Sequence, residues 1–388
     1  MAERSLIFPV DEFRQRCRRL QSAMAANDLD ALLLTTPPDI YYVTGFLTRF
    51  WESPARPWFV IVPASCEPVA VIPAIGADLM ARTWLSDIRT WNAPDPVDDG
   101  VSLLSDTLCE LVSDKGRIGI PMGLETHLRM PLADYERAGT AIGRRRFVDA
   151  TGTVQRVREI KSEPEIDKIR ATCGIADRAF ARVPDFARVG TPLSAVFRAF
   201  QIALLDEGAD WVSYLAGGAG PGGYSDVISP PDERPLHQGD ILMLDTGAVH
   251  EGYFCDFDRN FAVGQPDEAS RKAHAALYTA TGKALETLRP GMLAKDVHAC
   301  MSHELYRADV TPLGGRMGHG LGLSLTEWPS FTDKDSTPLR AGMVLTLEPG
   351  VEIQPGCIMV HEENIVLRDT GCELLSTRTP AFLPELGP

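Results

Sequence analysis

Twenty-two residues, Asp240 to Phe261 (DILMLDTGAVHEGYFCDFDRNF), restrict this chain more than any others. Ile241 to Leu244 is an apolar run ending in Asp245. Beyond a turn, Tyr253, Cys255, Phe257 and Phe261 alternate with Phe254, Asp256, Asp258 and Asn260, the period-two pattern of a half-buried strand. Two strands joined so tightly form a hairpin. With the turn centred on His250 and Glu251, Asp245 comes opposite Asp256, with Cβ atoms about 4.5–5.5 Å apart. Like charges so placed destabilise a sheet, and a buried carboxylate pair needs a shared proton or a cation between its members. A second stretch repeats the arrangement: Met343 to Glu348 ends in an acid, Gln354-Pro355-Gly356 is a turn signal, and Met359 to Leu367 returns. Folding about Pro355 sets Glu348 opposite Glu362. Two acidic hairpins imply one site built for more than one metal ion.

The rest of the chain is that of a globular protein. Its 388 residues, 44% of them hydrophobic, predict two domains, 1–152 and 153–388, with the join near Asp149 to Gly152. A formal charge of −15 argues against nucleic acid and anionic membranes as partners. No apolar run approaches the roughly 18 residues of a membrane helix, and the charged start MAERSLIFPVDEF lacks a signal-peptide core. Eight cysteines without a CxxC spacing are expected to be reduced thiols, which makes the cytoplasm the expected location. The one basic run, Arg144 to Arg146, reads as a solvated turn before a strand at Phe147.

Before the join, a helix over Val10 to Asn27, strands at 31–34, 58–62, 69–72 and 117–120, and a helix over Val101 to Val112 alternate as in an α/β domain. After it, Lys161 to Ala181 reads as a helix capped by Ser162 with Glu165 three residues on. Further helices are expected over 195–207, 270–288 and 294–308. The glycine- and proline-rich stretch Trp211 to Asp232 is expected to be a loop.

Asp245, Asp256, His319, Glu348 and Glu362 are the candidate metal ligands. Four carboxylates and one imidazole form a hard ligand set, suited to Mn²⁺, Fe²⁺ or Co²⁺ rather than to the thiolate-rich sites of structural zinc. Two divalent ions would balance the four acids, and a metal pair can lower the pKa of a shared water and polarise a carbonyl.

With these motifs in order, the chain resembles the pita-bread metallopeptidases: Xaa-Pro dipeptidase (prolidase), aminopeptidase P, methionine aminopeptidase and the related creatinase. DTGAVHEGYFCDFDRNF resembles D-x-G-x-x-x-x-G-Y-x-x-D-x-T-R-T-F, GHGLGLSLTEWP resembles G-H-G-I-G-L-x-x-H-E-x-P, and LEPG with HEEN resembles the two glutamate motifs. KSEPEIDKIR resembles the helix that opens the catalytic domain, and YYVTGF at 41–46 a segment of the N-terminal domain. The resemblance implies an α/β (α+β) fold, a creatinase-like N-terminal domain followed by a pita-bread catalytic domain of two pseudo-symmetric αββ halves. It implies two divalent metal ions, Mn foremost with Fe, Co or Zn as alternatives. Asp245 would hold one ion, Asp256 and Glu362 would bridge, and His319 with Glu348 would hold the other. A bridging hydroxide would be the nucleophile and Glu348 its proton acceptor. The resemblance further implies a homodimer, with Arg49 and Trp51 as candidate contacts.

Three departures from the family pattern concern substrate. Ile228 or a neighbour stands where proline-specific members have a histidine, Thr326 replaces the histidine of H-E-x-P, and Val360 replaces the arginine two residues before the bridging glutamate. Thr326 can donate a hydrogen bond but carries no charge. His361, Thr326, Tyr224, Asp226, Arg316 and Glu327 are the candidates for a rebuilt pocket, His361 and Thr326 in catalytic roles and the rest as substrate contacts. A peptidase acting on Xaa-Pro dipeptides, or on peptides as an aminopeptidase, is the leading expectation. A non-peptidase of the creatinase, ectoine hydrolase or dimethylsulfoniopropionate lyase kind, acting on a small osmolyte or amino-acid derivative, is the alternative. A metal-free binding scaffold is the third.

Overall fold

A computed structural model describes residues 7–53 and 56–387, so the first six residues of the charged start lie outside it. The chain divides into two compact units, Met1–Arg158 and Glu159–Pro388, the division falling after the helix Thr151–Arg158 rather than before it.

The first unit is built on a six-stranded sheet. Its strands are β1 (Ala31–Leu34), β2 (Phe59–Pro63), β3 (Val69–Pro73), β4 (Asp87–Trp91), β5 (Arg117–Ile120) and β6 (Arg146–Asp149), in the order β4-β3-β2-β1-β5-β6. β1, β2 and β3 are buried at every position, as expected of near-continuous apolar runs. Leu33, Phe59, Ile61, Val71, Leu104, Leu108 and Ile118 form one core with the helix Val101–Leu111. Arg145 is not solvated as expected. Its guanidinium donates to the carbonyls of Cys109 and Val112 at the end of that helix, satisfying groups that no intrahelical donor reaches.

The second unit delivers the same sequence of parts twice: two helices, then an acidic hairpin. Helices Glu163–Ala181 and Leu193–Asp206 precede β7 (Trp211–Pro221), β8 (Asp240–His250), β9 (Tyr253–Phe254) and β10 (Phe257–Val263). Ser162 and Glu165 form the expected capping box on the first helix. Helices Glu268–Thr287 and Ala294–Arg307 precede β11 (Thr311–Pro312), β12 (His319–Gly320), β13 (Glu327–Ser330), β14 (Val344–Leu347), β15 (Gly350–Gln354), β16 (Cys357–Val360), β17 (Glu363–Arg368) and β18 (Gly371–Leu374), and β19 (Glu385–Leu386) returns to the first sheet. The sheets run β19-β10-β8-β7, β11-β15-β16 and β13-β12-β14-β17-β18. Their shared core includes Met243, Leu277, Val297, Met301, Phe331, Leu345 and Ile365.

β7 corrects the expectation of a loop. It pairs with β8 from Trp211 to Pro221, and its glycines serve close approach: a Cβ on Gly217, at φ +151°, would stand 2.2 Å from the Met243 carbonyl oxygen. Composition signalled flexibility where the chain needed room.

Candidate metal centre

The first hairpin turns at Glu251 and Gly252, both at positive φ (50° and 86°), the two-residue turn whose twist matches the flanking strands. Val249 pairs with Phe254, and farther down Asp245 pairs with Asp258 rather than with Asp256. The expected register is thus corrected by two residues. An even slip leaves the faces unchanged, so by count Asp256 is the diagonal neighbour of Asp245 and Asp258 the direct one. In the second hairpin, Leu347 pairs with Glu363 and Gly350 with Val360, one register on both sides of a break at Pro349, and Glu348 lies across from Glu362 as expected.

One ligand atom from each of Asp256, His319 and Glu362 lies within 4.8 Å of the other two, and all three residues are buried. His319 Nε2 is 3.2 Å from Asp256 Oδ2 and 3.6 Å from Glu348 Oε2. Its Nδ1 is 2.7 Å from the Gly320 carbonyl oxygen, which can only accept, so Nδ1 carries the proton of the neutral ring and Nε2 presents a lone pair to the acids. Asp245 Oδ1 and Glu362 Oε1 are sealed from solvent with no hydrogen-bond partner. Buried acceptors of this kind are costly unless a cation or proton meets them.

The electrostatics agree. Burial, then the neighbouring carboxylates led by Asp256, push both Asp245 and Glu362 well above the ordinary range. Burial raises Asp256 to about 6 against the pull of His319, and raises Asp258 to about 7. Burial works against a charge on His319, yet Glu348 and Asp256 outweigh it and hold the imidazole above its usual value. The donor set therefore fits divalent cations, which would remove the repulsion that these shifts record.

Each hairpin holds the other's acid. Asn364, on the second, accepts from the Asp256 backbone N–H at 3.0 Å and donates to the Asp256 carbonyl, fixing the break in the first ladder. Arg259, on the first, donates to the Glu362 carbonyl at 2.8 Å and to Glu363 Oε2 at 3.0 Å. His319 N–H bonds Thr346 Oγ1 at 3.0 Å.

The residues expected to rebuild the pocket separate into two groups. Arg316 is at the site: its Nε donates to Glu348 Oε1 at 3.1 Å, and it is about one-third exposed. Thr326 lies half-buried in the bend before β13, next to Leu325, which covers Gly247 on β8. The others have structural partners. Glu327 is paired with buried Lys161 at 3.0 Å and accepts from the N–H groups of Leu323 and Ser324, so it ties down that bend. Tyr224 is buried, its hydroxyl between Asn260 Oδ1 and the Val360 N–H. Asp226 closes a turn onto Ile228 and Ser229. His361 points away from Glu362, as strand alternation requires, and lies buried with Nε2 3.5 Å from Glu363 and its ring beside His274. Four further residues of the centre were not singled out by sequence: Asp258, Arg259, Asn364 and Tyr214. Tyr214 is half-buried on β7 and donates to the Val227 carbonyl, and burial plus the charges of Asp245 and Asp256 raise its phenol.

Comparison with known proteins completes the assignment. Metallopeptidase family M24 matches residues 167–369, more than half of the chain, and the Creatinase/Prolidase N-terminal domain matches residues 16–160. The probable dipeptidase PepE of Mycobacterium tuberculosis is 28% identical over 364 residues, covering 93% of each chain, and the Xaa-Pro dipeptidase of Pyrococcus horikoshii is 24% identical, covering 95% and 98%. The crystal structure of dipeptidase PepE from Mycobacterium ulcerans superposes with a TM-score of 0.84 at 26% identity, covering 98% and 99%. That of a prolidase from Thermococcus sibiricus, 23% identical, gives 0.85 and covers 96% and 99%. The fold is a Creatinase/Prolidase N-terminal domain followed by a pita-bread catalytic domain, and the protein is a hydrolase of the metallopeptidase class. The chain belongs to metallopeptidase family M24. Among the described residues, no helix is long and apolar enough to cross a membrane.

Proposed function

We propose that Asp245, Asp256, His319, Glu348 and Glu362 hold two divalent cations, manganese foremost, and that the enzyme hydrolyses the peptide bond of dipeptides, Xaa-Pro among them. The observation that carries this reading is the convergence of Asp256, His319 and Glu362 within 4.8 Å beside two sealed, unpartnered carboxylate oxygens. Bound divalent ions supply a water acidified toward neutral pH and Lewis-acid polarisation of the scissile carbonyl. Glu348 is the proton acceptor, its side chain 20% exposed where those of Asp256 and His319 are buried. When the C–N bond breaks, the departing nitrogen must take up a proton, and the carboxyl that accepted one from water can return it.

Arg316 orients Glu348 through Nε, and its two terminal nitrogens have no hydrogen-bond partner among the described residues. They offer a fork for a substrate carboxylate, the task Val360 cannot perform. Thr326 donates a single uncharged hydrogen bond to the carbonyl under attack. The setting we infer is a cytoplasmic homodimer; eight cysteines free of disulfides support a reducing compartment. The test is a panel of Xaa-Pro and other dipeptides given to protein stripped by chelator and reloaded with Mn²⁺. Turnover that disappears with chelator and returns with Mn²⁺ is expected. A chain that binds metal yet cleaves no dipeptide would overturn the peptidase reading in favour of a small osmolyte or amino-acid derivative, the alternative that the uncharged Thr326 and Val360 favour.

A further inference from the structure

Asp258 departs from the family motif, which has threonine at that place in D-x-T-R, and the departure is chemical rather than conservative. It is the direct cross-strand partner of Asp245, so their Cβ atoms are about 4.5–5.5 Å apart. The side chain is buried, 1% exposed. Asn260, which also replaces a threonine of the motif, donates Nδ2 to Asp258 Oδ2 at 2.8 Å and to the Val360 carbonyl at 2.7 Å, and accepts from Tyr224. One oxygen of Asp258 is thereby held. The other, Oδ1, is sealed from solvent with no hydrogen-bond partner, and the same is true of Asp245 Oδ1.

A sealed carboxylate oxygen without a partner is costly unless a cation meets it, and Asp258 Oδ1 and Asp245 Oδ1 are two such atoms on directly paired residues. The nearest cation in sequence, Arg259, spends its guanidinium on the carbonyls of Asp258, Glu362 and Thr377 and on Glu363, and forms no hydrogen bond with the Asp258 carboxylate. We propose that Asp258 is a sixth protein ligand of the metal centre, coordinating through Oδ1 the divalent ion on the Asp245 side; this rests on the reading of the cluster as a divalent-metal site. The consequence is an asymmetric pair. The Asp245 side becomes all carboxylate, which suits Mn²⁺ and Mg²⁺, whereas His319 makes the other position hospitable to Zn²⁺, Fe²⁺ or Co²⁺.

The experiment titrates Mn²⁺ into the stripped full-length protein by calorimetry, comparing wild type with Asp258→Asn and with Asp258→Thr, the residue of the family motif. Wild type is expected to take two ions per chain. In both variants one site weakens by about tenfold or more while the other stays within threefold, and the metal-free melting temperature holds or rises because a buried repulsive charge is gone. Two unchanged sites in both variants would overturn the assignment. Wild type that binds no Mn²⁺ would instead sink the metal reading itself. Should neither variant fold, a structure of Mn²⁺-loaded wild type decides: an ion about 2.0–2.6 Å from Asp258 Oδ1 supports the proposal, and both ions beyond 4 Å refute it.

Discussion

Asp256 sits where every force in the site meets: buried, 3.2 Å from His319 Nε2, and gripped at its backbone by Asn364. Replacing it with asparagine keeps its volume and removes its charge. Asp256→Asn should therefore retain the circular dichroism spectrum while Mn²⁺ affinity falls at least 10–100-fold and activity vanishes. Arg316 lies at the other extreme, about one-third exposed and bonded to Glu348 through Nε alone among the described residues. Arg316→Gln should raise KM for a dipeptide by about tenfold with less effect on kcat, and should erase any preference for the free acid over the C-terminal amide. An equal ratio of acid to amide in wild type would remove the argument for Arg316. At this scale the convergence of Asp256, His319 and Glu362 was legible, because the two acids fall on hairpins that turn signals mark and the imidazole stands in a glycine-rich frame. Asp258 was hidden by the two-residue slip that put Asp256 in its place opposite Asp245. Glu327 and Tyr224 were legible only as polar residues near the site. Their partners, Lys161 and Asn260, lie far off in sequence and nothing local reveals them.

The hairpins are where local chemistry and long-range contact divide the task. The Glu251-Gly252 turn would have set the first register by itself, since a tight turn of this kind wants glycine in its second central position. The second register was readable because Pro355-Gly356 is an unmistakable turn signal. What no local rule supplies is the reciprocal grip. Asn364→Ala should leave two buried backbone groups of Asp256 unpaired, at about 1–3 kcal/mol each, and should weaken Mn²⁺ binding about 10–100-fold although Asn364 is no ligand. Denaturant unfolding and metal titration check the two halves of that statement. Unchanged metal affinity would show the break in the ladder at Asp256 to be held by other means. β7 was misread for the converse reason: glycine content that argues for a loop in isolation is here the condition for packing against β8.

Over the whole molecule, the acid cluster couples protons, metal and stability. The folded-state pKa values of Asp256 and Asp258, about 6 and about 7, lie above the roughly 4 of an unfolded chain. Between those limits the metal-free fold holds protons that the unfolded chain has released, so its stability falls as pH climbs through the window and stays low above it. Metal removes the repulsion. The rise in melting temperature on adding Mn²⁺ should accordingly be larger at pH 8 than at pH 5.5, and binding near pH 6 should release protons, measurable by calorimetry in buffers of different ionisation enthalpy. A metal-induced rise that did not grow with pH would contradict the raised carboxyls of the cluster. Two units and most of the elements apart from β7 match the alternation of apolar periods, while the boundary at Arg158 was not visible, because the helix Thr151–Arg158 has no sequence mark assigning it to the unit before it.

The crossed bracing also bears on how such a chain could be divided. A fragment ending after Val263 would carry Asp245 and Asp256 without Asn364, and a fragment beginning there would carry Glu362 without Arg259. Neither piece alone should retain the ion, and capacity should return only when both are mixed and refold together, so the centre is a joint possession of two half-molecules rather than the property of either.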